Sequence, residues 1–455
     1  MKVLGIYIYE SLFAKKHGGN VLFSYQSIAI GYTVILNEIQ RQNNDLETLV
    51  CSLNANIEDV LKGYDIEQYD LACFTTITSQ MYYTYKFARK LKKLNKNIKI
   101  IVGGPHSTLY PEDIAKHKEI DGIAIGEGVE SIKLYLRYLR KEISVNQVDG
   151  YWIREGNKVI KNKKIEFINF EKFPIVDVSI WDKWIVNKKR HTILISRGCV
   201  NRCSYCSNHK IKLGNIGTYL SFRKVEDIIK ELSSLYEKYK DINNVILEME
   251  TATINFNYTF HLLSELKKFN KKIKNQISFT TNIHFTPLLK KNIKSFSKAL
   301  RDANVNLVCI GLESGSYRIR KNILHRPEYK NEEFIDICKE LMNNDVGVCL
   351  FVLLGLPTET EYNLKQTMSI LDKIKPTEIR ANIFYPYPNT DLYDLMVKMK
   401  IIKPEIVKSD YPERRVACID YPNLSREIIQ KYYDKLDLKQ KRFDILSKML
   451  LNNKR

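Results

Sequence analysis

The stretch Cys199-Val200-Asn201-Arg202-Cys203-Ser204-Tyr205-Cys206 places three thiols in one short segment with the spacing CxxxCxxC. The other cysteines are scattered singly along the chain. Three thiolates in one loop can bind three irons of a four-iron four-sulfur cubane and leave the fourth iron open for another ligand. A structural zinc site is the alternative, because His209 lies close enough in sequence to supply the fourth ligand that zinc normally requires.

The bulk composition is that of an ordinary globular protein. The chain has 455 residues, of which 44% are hydrophobic and 27% charged, and this length favours two or three domains. No apolar run approaches the roughly 20 residues of a membrane helix, and the N-terminus lacks the features of a secretory signal peptide. These features predict a cytoplasmic protein without a membrane span.

The chain is strongly basic, with a net charge of +20 from 72 Lys and Arg against 52 Asp and Glu. Such a charge is compatible with nucleic acid or an acidic substrate. Because the lysines are spread along the whole chain, a Lys-rich composition with solvated helix faces explains it as well. Nucleic acid is therefore not the expected partner.

The first 145 residues alternate between strand-like and helix-like patterns, which predicts a parallel sheet covered on both faces. The predicted strands are residues 3–9, 46–51, 71–76, 98–102 and 122–125, and the clearest helices are 27–40, 81–94 and 131–140. Ligands bind such sheets at the carboxyl ends of the strands. Polar and glycine-rich loops follow three of these strands, at residues 75–79, 103–108 and 126–128.

Residues 146–190 interrupt this rhythm and are predicted to form a linker with a short hairpin at 151–154 and 158–160. A second series of alternating strands and helices follows in residues 191–400. Its six strands are predicted at 192–196, 244–250, 277–282, 305–312, 346–354 and 378–384. Six such strands suit a partial (β/α)6 barrel with its active site at the strand carboxyl ends. Residues 401–455 are predicted to be helical, most clearly at 426–451.

The cysteine loop resembles that of the radical S-adenosylmethionine (SAM) superfamily, CxxxCx(aromatic)C, with Tyr205 at the aromatic position. Two later segments match the family as well, Gly311-Leu312-Glu313-Ser314-Gly315-Ser316 and Gly355-Leu356-Pro357-Thr358-Glu359-Thr360. The resemblance implies a [4Fe-4S] cluster on Cys199, Cys203 and Cys206. It also implies that SAM chelates the open iron and that an electron from a flavodoxin or ferredoxin cleaves it to a 5′-deoxyadenosyl radical.

The same resemblance implies the residues that contact SAM. Tyr205 would lie beside the adenine, Glu313 and Ser314 would bind at the end of the third barrel strand after the cysteine loop, and Gly355 would offer backbone groups. The usual Gly-Gly-Glu is absent after the strand at 244–250, so either Glu248 or Glu250 would bind the SAM ammonium group. Asn282, at the end of the next strand, is a further candidate contact.

Ahead of such a barrel, residues 1–145 resemble a Rossmann-like cobalamin-binding domain. The family's G-G-P-H-x-T and G-E-G-E stretches correspond to residues 103–108 and 126–130, the latter with Val129 inserted. The resemblance implies cobalamin contacts at Thr75, Gly103, Gly104, His106, Thr108 and Gly126. The segment at His17 lacks the Asp of the cobalt-ligating D-x-H-x-x-G motif, so no histidine is expected on cobalt. A phosphate-binding or ligand-free domain is the alternative.

Together these resemblances imply a cobalamin-dependent radical SAM enzyme that methylates an unactivated carbon or phosphorus of a small molecule or peptide. A ring-forming or rearranging enzyme without methyl transfer is one alternative. The methylthiotransferase branch that acts on tRNA is a weaker one, because it carries three more cysteines in its first domain, where this chain has only Cys51 and Cys73. A basic, zinc-bearing nucleic-acid-binding protein is the alternative from another class, and it leaves the segments at 311–316 and 355–360 unexplained.

Overall fold

A computed structural model describes residues 1–9, 20–53, 55–214, 216–403 and 414–437. The candidate His17 and most of the predicted helix at 426–451 lie outside these residues. Internal contacts divide the chain into two compact units. Of the described residues, the first unit contains those up to Gly198 and those from Ser207 to Ile242, and the second contains Cys199–Cys206, 243–403 and the residues from 414 onward. No helix in the described part of the chain has both the length and the apolar character needed to span a bilayer.

The elements alternate along the chain between strands and helices. The strands are β1 (Lys2–Tyr9), β2 (Leu22–Ser24), β3 (Asp45–Ser52), β4 (Leu71–Thr75), β5 (Lys99–Gly103), β6 (Gly122–Ala124), β7 (Tyr151–Glu155), β8 (Lys158–Lys161), β9 (Ile185–Asn187), β10 (Arg190–Leu194), β11 (Ser196–Arg197), β12 (Ser221–Phe222), β13 (Asn244–Glu248), β14 (Ser278–Ile283), β15 (Val305–Glu313), β16 (Gly347–Leu354) and β17 (Glu378–Ile383). The helices are α1 (Ile30–Arg41), α2 (Ile57–Leu61), α3 (Met81–Leu94), α4 (Pro105–Leu109), α5 (Pro111–Ala115), α6 (Val129–Leu139), α7 (Asn208–Gly214), α8 (Val225–Lys238), α9 (Phe256–Lys272), α10 (Pro287–Asp302), α11 (Asn331–Asn343), α12 (Glu361–Ile374), α13 (Asp391–Lys398) and α14 (426–437).

The first unit is built on a seven-stranded sheet with the order β3-β1-β4-β5-β6-β7-β8. The neighbouring strands from β3 to β6 are parallel, and the hairpin β7–β8 continues the sheet in the antiparallel direction. The hairpin predicted for 146–190 therefore forms and extends this sheet. Strand order reverses between β1 and β4, and in open parallel sheets that reversal opens a ligand-binding crevice at the carboxyl edge.

The second large sheet has six strands in the order β10-β13-β14-β15-β16-β17. The pairs from β13 to β17 are parallel, and a helix lies between each pair along the chain. Strand β15 is apolar over consecutive residues, with Val308, Cys309 and Ile310 all buried, as expected for a strand that is covered on both faces. The predicted α/β fold, a Rossmann-like domain followed by a six-stranded partial barrel, is confirmed.

The pair of short strands β2 and β9 was not predicted. Leu22 pairs with Ile185 and Ser24 with Asn187, both in the parallel direction. Strands of three residues contain too little alternation to be recognised from a pattern with period two. The pairing closes a long loop within the first unit.

The turn after β16 is organised by a buried carboxyl group. Gly355 has a φ of 75°, and the amide groups of Gly355 and Leu356 donate to Oε2 of Glu359 at 2.9 and 3.1 Å. Oε1 has no hydrogen-bond partner among the described residues. Burial raises the pKa of Glu359 to about 8, although both amide donors act in the opposite direction. This carboxyl group is therefore largely protonated at neutral pH.

Glu359→Gln should remove a pH dependence of stability. The folded protein holds the Glu359 proton more tightly than the unfolded chain, so its contribution is full at acidic pH and is lost as the pH rises. From about pH 6 to about pH 8 the wild type should lose roughly 2 kcal/mol of unfolding free energy that the variant keeps. Thermal unfolding across this range measures the difference. Glu361→Gln, at an exposed neighbouring carboxylate, should behave like the wild type, and equal pH slopes for the wild type and Glu359→Gln would contradict the assignment.

Candidate active site

The middle of the cysteine loop is fixed by backbone contacts within the second unit. The amide of Ser204 donates to the carbonyl of Leu324 at 3.1 Å, and its hydroxyl donates to the carbonyl of Ile323 at 2.5 Å. The amide of Leu392, in the first turn of α13, donates to the carbonyl of Ser204 at 2.8 Å. A buried serine thus anchors the loop between Cys203 and Cys206.

The three thiols of the loop differ in burial. Cys203 is buried, whereas Cys199 and Cys206 are half-buried. Burial raises the pKa of Cys199 and of Cys203, and the guanidinium of Arg326 opposes the shift at both. The amide of Asn201 also donates to Sγ of Cys199 at 3.5 Å. A nearby cation and an amide donor favour the thiolate form, which metal binding requires.

The zinc alternative needs a different arrangement. His209 is buried in α7, within the first unit. Among the residues that the structure describes, no group of three or more His, Cys, Asp or Glu side chains is arranged to hold one metal ion. A zinc site gathers its ligands around a single point, whereas the thiolates of a cubane bind different irons. The described residues do not form the ligand set that the zinc interpretation predicts.

Tyr205, within the cysteine loop, contacts Glu313. The Tyr205 hydroxyl lies 3.0 Å from Oε1 of Glu313, which is buried at the end of β15. Burial raises the pKa of Glu313, and Arg326 and the Tyr205 hydroxyl oppose this shift. Glu313 also has a φ of 60°, in the left-handed region that side chains other than glycine seldom adopt. Glu313 is therefore a buried carboxyl group with protein partners, and not a solvated side chain in a tight turn.

Arg326 completes this cluster, and the sequence analysis missed it. Its Nη1 lies 2.9 Å from the Tyr205 hydroxyl and 3.3 Å from Oε1 of Glu313, and its Nη2 donates to the carbonyl of Gly311 at 2.8 Å. A Cβ at Gly311 would come within 3.0 Å of the guanidinium, so a side chain there would displace it. Arg326 lies outside every strand and helix, between His325 and Pro327, where no periodicity marks it.

The candidate residues on β13 and β14 lie at the carboxyl ends of those strands. The side chains of Glu248 and Glu250 are exposed, and Asn282 donates to the carbonyl of Met249 at 3.0 Å. Desolvation by the surrounding protein raises the pKa of Glu248, and the Glu250 charge adds to it. The Glu250 charge also adds to the burial that raises the pKa of Cys199.

Ser314 and Gly355 shape their turns. Ser314 is fully buried and its hydroxyl accepts from the amide of Ser316 at 3.2 Å. The carbonyl of Gly355 accepts from the hydroxyl of Tyr421 at 2.6 Å. Both residues follow strands of the second unit at the edge where the cysteine loop lies, and their hydrogen bonds hold the backbone of that edge in place.

The predicted cobalamin contacts of the first unit converge on the carboxyl edge of its sheet. Gly104 has a φ of 101°, and a Cβ there would come within 2.8 Å of the Thr75 hydroxyl. The Thr108 hydroxyl accepts from the amide of Gly126 at 3.0 Å. Together with Gly103, these residues are half-buried. The ends of β4, β5 and β6 thus form one edge with accessible backbone, which fits a large flat ligand approaching closely.

His106 occupies a different position from the other candidates. It is buried, with Nδ1 at 3.1 Å from the Thr78 hydroxyl and Nε2 at 3.4 Å from Oδ2 of Asp113. Burial on its own would raise the pKa of Asp113, but the approach of His106 and the hydrogen bond from the Tyr85 hydroxyl outweigh it and lower the pKa to about 2. The imidazole braces the loop after β5 from inside the fold.

Cys51 and Cys73 lie on two different strands of the first sheet. Cys51 is in β3 and Cys73 in β4, and β1 lies between these strands. Both are buried, and burial raises the pKa of the Cys51 thiol to about 12. Both behave as core side chains of the first sheet.

Two family models match consecutive parts of the chain. The model described as "Radical SAM superfamily" matches residues 193–371, which include the cysteine loop, Glu313, Arg326 and Gly355. The model described as "B12 binding domain" matches residues 23–135, which include the candidate edge of the first sheet. These matches agree with the resemblances that the sequence motifs indicated.

Several curated proteins are similar over most of the chain. An uncharacterized methyltransferase of Pyrococcus horikoshii is 26% identical, over 76% of this chain and 73% of its own length. A putative methylthiotransferase of Methanocaldococcus jannaschii is 24% identical, over 72% of each chain. The anaerobic magnesium-protoporphyrin IX monomethyl ester cyclase of Rubrivivax gelatinosus is 23% identical, over 80% of this chain and 65% of its own.

Solved structures share the fold. The radical SAM methyltransferase TsrM of Kitasatospora setae, solved with tryptophan and a SAM analogue, has a TM-score of 0.68 at 14% identity and covers 88% of this chain and 76% of its own. The cobalamin-dependent radical SAM enzyme OxsB has a TM-score of 0.69 at 15% identity and covers 90% and 64%. Residues 23–135 thus form a B12-binding domain and residues 193–371 a radical SAM domain, and the chain is an enzyme that combines the two.

Proposed function

We propose that this enzyme binds a [4Fe-4S] cluster, SAM and cobalamin, and methylates an unactivated carbon or phosphorus of a small molecule or peptide. The observation that carries the proposal is the presence of a B12-binding domain and a radical SAM domain in one chain. When bound, these groups supply a carbon-centred radical from SAM and a transferable methyl group. The electron donor would be an external flavodoxin or ferredoxin.

The cluster and SAM would be held by residues of the second unit. Cys199, Cys203 and Cys206 would supply the thiolates. Tyr205 and Glu313 stand beside them, joined through a buried guanidinium. The proposal gives Glu313 the SAM ribose or ammonium group, and Glu248 and Glu250 are the alternatives for the ammonium because both lie at the carboxyl end of β13.

Arg326 has a positioning role in this proposal. Its guanidinium bonds to Gly311 and to the Tyr205 hydroxyl at once, so it fixes the end of β15 relative to the cysteine loop. A buried guanidinium whose two terminal nitrogens both bond to protein groups keeps those groups in one geometry. The site is thereby preorganised before a ligand enters.

Cobalamin would bind at the carboxyl edge of the first sheet. Thr75, Gly104, Thr108 and Gly126 supply backbone and hydroxyl groups there, and the interior position of His106 leaves it to support the loop. Nδ1 of its ring lies 3.1 Å from the Thr78 hydroxyl, and Nε2 lies 3.4 Å from Oδ2 of Asp113.

A second candidate is a ring-forming reaction without methyl transfer. The similarity to a cyclase of Rubrivivax gelatinosus over 80% of this chain favours it. Both candidates begin with hydrogen abstraction and therefore predict 5′-deoxyadenosine. They differ in S-adenosylhomocysteine, which forms only when SAM also serves as a methyl donor.

Replacement of one loop cysteine should abolish SAM cleavage. Cys203→Ser removes one of the three proposed thiolates, so the anaerobically reconstituted variant should lose the absorbance of the cluster and produce less than about 1% of the wild-type 5′-deoxyadenosine. Cys418→Ser, at a half-buried cysteine outside the loop, is the control and should keep both. Wild-type iron content and product in Cys203→Ser would contradict the assignment.

Product analysis with and without cobalamin tests methyl transfer. The reconstituted enzyme, given SAM and reductant, should form 5′-deoxyadenosine in both conditions and S-adenosylhomocysteine only after hydroxocobalamin is supplied. Mass spectrometry quantifies both products. If 5′-deoxyadenosine forms in the presence of hydroxocobalamin and S-adenosylhomocysteine does not, the result would instead favour the ring-forming candidate.

A further inference from the structure

Glu127 is the centre of a buried polar cluster in the first unit. Its Oε1 accepts from the amide of Val129 at 3.0 Å, at the start of α6. Its Oε2 accepts from the amide of Ile168 at 3.0 Å and from Nη1 of Arg197 at 2.6 Å. The Glu127 side chain is only 5% exposed. The carboxylate is thus fully used inside the protein, although the preceding residue, Gly126, belongs to the candidate cobalamin edge.

Arg197 is held equally firmly. Besides Glu127, its guanidinium donates to the carbonyl of Ile168 at 2.8 Å and to that of Tyr219 at 3.4 Å. The rings of Phe167 and Phe170 lie 4.4 and 4.6 Å from the guanidinium carbon. A guanidinium so enclosed has lost most of its water and depends on Glu127 for charge compensation.

The position of this pair in the sequence is what gives it a function. Arg197 is separated from Cys199 by Gly198 alone. Gly198 has a φ of 98°, and a Cβ there would lie 2.8 Å from the carbonyl of Tyr219. The contacts of the Arg197 side chain and the lack of space around Gly198 therefore both restrict the backbone that leads to Cys199. A displacement of the Arg197 backbone would therefore be passed on to the start of the cysteine loop.

We propose that the Glu127–Arg197 ion pair is a positioning link through which cobalamin binding at the loop after β6 and cluster binding at the cysteine loop change each other's affinity. This inference rests on the proposed function. Cobalamin that contacts Gly126 would restrict the loop that carries Glu127; Glu127 is bonded to Arg197, and Arg197 lies two residues before Cys199. Because linkage is reciprocal, an assembled cluster tightens cobalamin binding by the same factor.

The test measures that factor directly. Hydroxocobalamin is titrated into the full-length chain with and without its reconstituted cluster, and the ratio of the two dissociation constants is the coupling. In the wild type we expect a ratio of about fivefold or more. Glu127→Gln keeps the shape of the side chain and removes its charge. Arg197→Lys keeps the charge and removes the planar guanidinium with its several N–H donors. In both variants the ratio should fall to within about twofold of one.

A matched control separates coupling from general destabilisation. Arg223 and Glu231 form another buried ion pair in the first unit, at 2.7 Å and with side chains 1% and 4% exposed. Glu231→Gln should lower stability as much as Glu127→Gln and leave the ratio at its wild-type value. The electron paramagnetic resonance spectrum of the reduced cluster gives a second readout. Hydroxocobalamin should change it in the wild type and in Glu231→Gln, but not in the two link variants.

The possible failures are distinguishable. A wild-type ratio of one, an unchanged ratio in both link variants, or equal loss of coupling in Glu231→Gln would overturn this inference and leave the proposed function standing. Failure of every form to bind hydroxocobalamin would overturn the proposed cobalamin site and this inference together.

Discussion

The contact between Arg326 and the end of β15 is the interaction on which the candidate site depends. A single guanidinium bonds to the carbonyl of Gly311, faces Glu313 and reaches the hydroxyl of Tyr205. The strand end and the cysteine loop are therefore parts of one buried polar cluster. Breaking such a cluster leaves an unpaired charge in the interior, which costs several times more than an exposed ion pair gains. The candidate cofactor-binding groups are thus held in position by a cluster that contains buried charge.

A different constraint governs the edge of the first sheet. Close approach of the backbone at Gly104 excludes any side chain there, and the hydroxyl of Thr108 ties the loop after β5 to Gly126. The buried side chains of His106 and Glu127 contact these loops from the interior of the protein. The surface offered to a ligand is made of backbone, while the charged groups nearby act inside the protein. This division suits a large cofactor that is recognised by shape as much as by charge.

The sequence predicted the features that local patterns encode. The parallel strands appeared as apolar runs, the cysteine loop as a fixed spacing, and the turns near Gly104, Gly311 and Gly355 as glycine motifs. Features that depend on distant residues meeting in space left no such pattern. Arg326 is one arginine in a basic chain, and the partners Glu127 and Arg197 are 70 positions apart. The interior role of His106 likewise follows from Asp113 and Thr78, whose contribution only the folded chain reveals.

The most direct test of the account is Mössbauer spectroscopy of the full-length chain reconstituted anaerobically with ⁵⁷Fe, recorded with and without SAM. The account requires a cubane in which one iron lacks a protein thiolate, so SAM should shift the spectrum of that iron and leave the other three unchanged. A spectrum that SAM does not alter, or a protein that retains zinc and no cluster, would contradict it.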